Sequence, residues 1–133
     1  MKSECSVVLL ADRHHGLRDS VRGLLETEFD TVFMVADEAS LLEGAGRLKP
    51  AILIVDLSLS SGDMGGLLER LRMRSPDTKV VMLTVYDEPT VGRAALDAGA
   101  DAVVMKRSLS TDLHPALDAL REGKQYVSPG LSK

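Results

Sequence analysis

Short apolar runs recur along this chain, and four of them stop at a residue able to do chemistry. Val7-Val8-Leu9-Leu10-Ala11 runs into Asp12, and Ile52-Leu53-Ile54-Val55 runs into Asp56. Val80-Val81-Met82-Leu83 delivers Thr84, and Ala102-Val103-Val104-Met105 delivers Lys106. The runs are rich in valine, isoleucine and leucine and do not alternate with polar residues, the pattern of strands buried on both faces. Residues 31–36 read as one more strand, second in chain order.

Between the runs the apolar spacing changes to three and four residues. Leu17, Val21, Leu24 and Leu25 mark a first helix ending near Glu28. Asp37 or Ser40 can cap a second, which carries Leu41, Leu42, Ala45 and Leu48 and is stopped by Pro50. A turn-rich loop over 57–66 precedes a third helix built on Leu67, Leu68 and Leu71 and closed by Ser75-Pro76. The fourth begins near Pro89, a favoured first-turn residue, and runs through Val91, Ala94, Ala95 and Ala98 to Gly99. The fifth carries Leu113, Leu117 and Leu120 and ends at Gly123; Pro115 inside it predicts a first turn that begins late or is distorted. Alternating strands and helices predict an α/β sandwich with right-handed crossovers.

In an open parallel sheet, ligands and chemistry sit outside the carboxyl ends of the strands. Asp12, Asp56, Thr84 and Lys106 should therefore converge. A lysine, a hydroxyl and one aspartate around a second aspartate suggest phosphoryl chemistry. Singly these are weak signals, since an aspartate after an apolar strand is usually a turn residue; together, at matching strand ends, they are strong.

Composition narrows the picture. At 133 residues, 44% hydrophobic and 27% charged, the chain is one ordered domain with room for a core. The net charge of −4 argues against a broad nucleic-acid footprint. Arg70, Arg72, Arg74 and Lys79 cluster locally and read as a solvated helix face. No apolar run approaches the ~20 residues needed to span a bilayer, and no signal-peptide pattern opens the chain. The single cysteine, Cys5, excludes an internal disulfide and fits a reducing cytoplasm.

At these residues the chain resembles the receiver domain of bacterial two-component response regulators. Leu9-Leu10-Ala11-Asp12, Ile54-Val55-Asp56-Leu57-Ser58, Val81-Met82-Leu83-Thr84 and Val104-Met105-Lys106 stand in the family's order and spacing. Ala98-Gly99-Ala100-Asp101-Ala102 and Gly123-Lys124-Gln125-Tyr126-Val127-Ser128-Pro129 are most similar to the subfamily with a C-terminal LuxR-type helix-turn-helix. The resemblance implies a doubly wound, flavodoxin-like, five-stranded parallel sheet in order 2-1-3-4-5 with five helices. It implies a receiver over 1–125 and the start of a C-terminal linker over 126–133. Asp56 would accept phosphate from a sensor histidine kinase. Lys106 and Thr84 would bind phosphoryl oxygens, and Mg2+ would be held by Asp12, Asp56 and the backbone carbonyl of Ser58. The new charge would draw Thr84 and its loop inward. Homodimerisation would use the helix 4–strand 5–helix 5 face or helices 1 and 5. DNA would be reached only through a separate output domain, in the cytoplasm and with no membrane partner.

Two positions depart from the family. Arg13 replaces the second of two adjacent acidic residues, so Asp12, Asp56, Arg13 and Lys106 sum to zero charge where the family carries −2. Exchanging −1 for +1 beside a dication is an upper cost of about 4 kcal/mol at 4 Å in a water-like dielectric, because arginine can swing into solvent. Its guanidinium is expected either to pair with Asp56 or Asp12 or to turn outward, and magnesium to bind weakly in both cases. Val103 stands where a tyrosine or phenylalanine normally turns inward with the threonine. Tyr86 is the nearby aromatic and reads as a half-exposed loop residue; Ser60 and Arg107 replace residues common in the family.

These departures leave an alternative, a pseudo-receiver that binds proteins without phosphate. A cobalamin-binding domain is a weaker one, since in Asp12-Arg13-His14-His15-Gly16 the glycine arrives one residue early. His14 and His15 read as solvated loop residues rather than metal ligands, and His114 as surface. Gly62, Gly65 and Gly66 lack the spacing of a phosphate-binding loop.

Overall fold

The computed structural model describes residues 6–86 and 88–131; Cys5 lies outside them. Strands β1 (Val7–Ala11), β2 (Thr31–Val35), β3 (Ile52–Asp56), β4 (Lys79–Thr84), β5 (Ala102–Met105) and β6 (Tyr126–Val127) form one parallel sheet in order 2-1-3-4-5-6. Helices α1 (His15–Glu26), α2 (Glu38–Leu48), α3 (Met64–Arg74), α4 (Pro89–Asp97) and α5 (Leu109–Arg121) fill the crossovers.

Alternation along the strands divides the core in two. Leu9, Ala11, Leu53, Val55, Met82, Val103 and Met105 face α2, α3 and α4. Val8, Leu10, Ile52, Ile54, Val81, Leu83 and Val104 face α1 and α5. Both faces are therefore covered, which is why the central runs show no polar alternation. Helix α2 comes so close to β1 that a Cβ on Gly44 would stand 2.9 Å from Leu9 Cδ2. Asp37, not Ser40, is its N-cap residue and accepts from the Ser40 amide at 2.7 Å. Arg121 on α5 reaches the Glu28 carboxylate after α1 at 2.8 Å and holds its carboxyl below the ordinary carboxylate range.

Two expectations need correction. Helix α5 does not begin late; it starts at Leu109 and runs through Pro115. Proline removes one backbone bond, but Leu109, Leu113, Ala116, Leu117 and Leu120 are buried and hold the helix against the sheet. The second is the sixth strand, beyond the five read from the sequence. Residues 126–131, expected to start a connection, pack against the domain: Val127 pairs with Val103, and Leu131 is 2% exposed against Gly92 of α4. Buried Ser128 accepts from the Met105 amide at 3.0 Å and donates to Asp112 at 2.7 Å. Burial, aided by that carboxylate, pushes the Tyr126 hydroxyl above its ordinary range.

Candidate functional site

Strand register brings the four strand-end residues to one level. Ala11 lies opposite Val55, Asp56 opposite Leu83, and Thr84 opposite Met105, so Asp12, Asp56, Thr84 and Lys106 close adjacent rows. Asp12 is fully buried, and Asp56 is 3% exposed. Lys106 Nζ lies 2.8 Å from Asp12 Oδ2 and 3.2 Å from Asp56 Oδ2, bridging the two carboxylates. Two like charges taken out of water are costly unless paired, and the ammonium supplies that pairing.

Short-range hydrogen bonds aim these groups. Asp56 accepts from the Ser58 amide at 3.3 Å and from the Ser58 hydroxyl at 2.6 Å. Thr84 is buried, and its Oγ1 accepts from the Tyr86 amide at 2.9 Å, which leaves the hydroxyl proton to be donated elsewhere. Asp56, Thr84, Lys106 and Ser58 line a cavity of about 430 Å³ whose apolar wall includes Met64 and Val91. Tyr86 stands at this cavity with 56% exposure. Val103 is buried in the core and offers no aromatic ring to swing.

Two neighbours of Asp12 depart from expectation. Arg13 pairs with neither Asp12 nor Asp56, nor does it merely turn outward: its guanidinium donates to the Ser58 carbonyl at 3.3 Å. It thereby engages the oxygen that the family resemblance implies as a metal ligand. His14 is a solvated loop residue, its side chain 62% exposed, but its ring nitrogen also reaches the site. Its amide donates to Asp12 Oδ1 at 2.7 Å, an Asx turn that folds the chain back. The turn sets its Nδ1 2.9 Å from Asp12 Oδ1, 3.9 Å from Asp56 Oδ2 and 3.3 Å from Lys106 Nζ. The signal for this placement was the spacing Asp-x-His immediately after a strand. His15 instead pairs with Asp19 at 3.2 Å on the exposed face of α1, and His114 is a surface residue that pairs with Glu28 at 3.1 Å.

The profile of the response regulator receiver domain matches residues 8–118. The chain belongs to this family. The receiver is 30% identical to the transcriptional regulatory protein RcsB of Escherichia coli K12 over 132 residues, which cover 95% of this chain and 61% of RcsB. It is 32% identical over 113 residues to the response regulator VraR of Staphylococcus saprophyticus, covering 83% of this chain and 54% of that one. The receiver thus spans less than two thirds of either relative. Among solved structures, the isolated receiver domain of RcsB from Salmonella enterica serovar Typhimurium in the apo form superposes with a TM-score of 0.84 at 29% identity, covering 96% of both chains. The same domain with the phosphomimetic BeF3− gives 0.83 at 27% identity, again over 96% of both.

Proposed function

We propose that the receiver takes a phosphoryl group onto Asp56 from a sensor histidine kinase and that the change controls an output acting on transcription. The observation that carries this reading is the convergence of Asp12, Asp56 and Lys106 at ion-pair distance, with Thr84 on the wall of the same cavity. In the transfer a carboxylate oxygen of Asp56 attacks phosphorus, the phosphorus–nitrogen bond of the donor phosphohistidine breaks, and the leaving imidazole takes up a proton. Lys106 is close enough to follow the new charge from carboxylate to phosphoryl oxygen. The Thr84 hydroxyl, with its lone pair held by the Tyr86 amide, donates to a second phosphoryl oxygen. The domain is a switch that at most catalyses its own phosphorylation and hydrolysis.

Magnesium is the cation the family implies, and when bound it neutralises charge shared between carboxylate and phosphoryl oxygens. Asp12 and Asp56 suit it: both are buried, and among the described residues Asp12 Oδ2 receives no hydrogen bond, although the Lys106 ammonium lies 2.8 Å away. Ser58 suits it less, because Arg13 already holds that carbonyl. Magnesium binding is therefore weaker than at a site with a full acidic pair.

Any DNA contact would be made by an output domain that is not part of this chain, as the relatives' greater length suggests. Dimerisation uses α4, β5 and α5, or α1 and α5, and the protein works in the cytoplasm; among the described residues no helix is long and apolar enough to cross a membrane. The Arg13–Ser58 bond and the missing ring at Val103 favour a second reading, a pseudo-receiver that signals by protein binding alone. Incubation with acetyl phosphate followed by intact mass separates the two. One phosphoryl group per chain supports the first, and an unchanged mass supports the second.

A further inference from the structure

We propose that His14 completes a three-ligand cation site with Asp12 and Asp56, and that this site prefers a first-row transition-metal dication to magnesium. The inference rests on reading the strand-end site as cation-assisted. Its test reads metal binding and not phosphate, so either can fail without the other.

The ligand atoms of Asp12, His14 and Asp56 all lie within 4.8 Å of one another. They also converge on a cation already present. Lys106 Nζ stands 2.8 Å from Asp12 Oδ2, 3.2 Å from Asp56 Oδ2 and 3.3 Å from His14 Nδ1. One ammonium thus marks the point at which two carboxylates and an imidazole meet. Asp12 is fully buried, and its Oδ2 faces this point without receiving a hydrogen bond from the described residues. The lysine's approach to that oxygen is an ion pair outside hydrogen-bonding geometry.

The choice of metal follows from the donor atoms. Magnesium demands oxygen ligands in near-ideal octahedral geometry. Arg13 has replaced a carboxylate at this site and engages the Ser58 carbonyl, so two of the expected oxygens are lost or occupied. What the chain offers instead, at the rim of the site, is the Nδ1 of an imidazole that is otherwise 62% exposed. Nitrogen donors raise affinity along the series from manganese to zinc and do little for magnesium. The same exchange that weakens the all-oxygen site leaves a mixed oxygen–nitrogen one. To ligate, Nδ1 must carry no proton, which places the proton of the neutral ring on Nε2.

The untagged 133-residue chain is titrated with MgCl2, MnCl2 and ZnCl2 by calorimetry, and its manganese complex is examined by pulsed electron paramagnetic resonance for nitrogen coupling. His14→Ala is the test variant. His15→Ala, which removes the adjacent imidazole that pairs with Asp19, is the control. The expected order of affinity is zinc, manganese, magnesium, with nitrogen coupling in the wild type. His14→Ala should abolish the coupling and weaken zinc and manganese by about tenfold or more, leaving magnesium near its wild-type value; His15→Ala should change nothing. Coupling that survives His14→Ala, magnesium as the tightest ion, or an equal loss for all three ions overturns the proposal.

Discussion

Replacing Lys106 with methionine keeps the length of the side chain and removes the charge that holds Asp12 and Asp56 together. Their ligand oxygens lie no more than 4.8 Å apart. At an effective dielectric constant of about 20, the repulsion released is about 3.5 kcal/mol. Two ion-pair contacts, at 2.8 and 3.2 Å, disappear as well. Arg13 does not replace them, since it is turned to the Ser58 carbonyl. Breaking a buried pair in this way costs about 3–5 kcal/mol, a large part of the stability of a small domain. Urea unfolding at neutral pH, followed by far-ultraviolet circular dichroism because the chain has no tryptophan, reads the loss from the midpoint. A divalent cation occupying the vacated position should restore stability, by about 2.7 kcal/mol at a hundred times its dissociation constant. A loss below about 1 kcal/mol, the range of exposed ion pairs, would mean that the carboxylates are solvated well enough not to need Lys106.

Three further outcomes follow from the same geometry. Arg13→Ala frees the Ser58 carbonyl and should tighten magnesium, and Arg13→Asp should tighten it more, by about tenfold or beyond; equal affinities in all three proteins, by calorimetry, would show that Arg13 is irrelevant to the site. Leu131→Ala should destabilise the chain by about 2–5 kcal/mol in urea, as a core leucine does, whereas an unchanged midpoint would detach residues 126–131 from the folded unit. Helix α4 buries only Gly92 and Ala95 and should exchange its amide hydrogens faster than the other helices; if it proves the best protected, it is not the adaptable face through which the site signals.

Most of the fold was legible because burial on both faces leaves an unmistakable trace: strands such as Ile52–Asp56 are apolar without alternation. The short β6 was not, since two residues, Tyr126 and Val127, are too few to carry a period. Nor could the pattern show that Leu131 would be covered by α4 at a glycine. In the site, the four strand-end residues could be placed because parallel register and strand length fix where a strand stops. Arg13 and His14 could not. Their directions depend on the backbone reversal at Asp12, and the Asx turn made by the His14 amide sends one side chain over the Ser58 carbonyl and sets the Nδ1 of the other against Asp12. Chain spacing says that a residue follows a strand, not which way a loop turns it. Pro115 misled in the opposite sense, because its local cost was outweighed by the buried leucines of α5.

Asp56 alone is expected to accept phosphate. Wild type and Asp56→Asn are incubated with acetyl phosphate, trapped by borohydride reduction of the acyl phosphate, and mapped by peptide mass spectrometry. A single modified residue, Asp56, is expected in the wild type and no modification in the variant. Modification at Asp63 in the open loop, or labelling of Asp56→Asn to the wild-type extent, would contradict it.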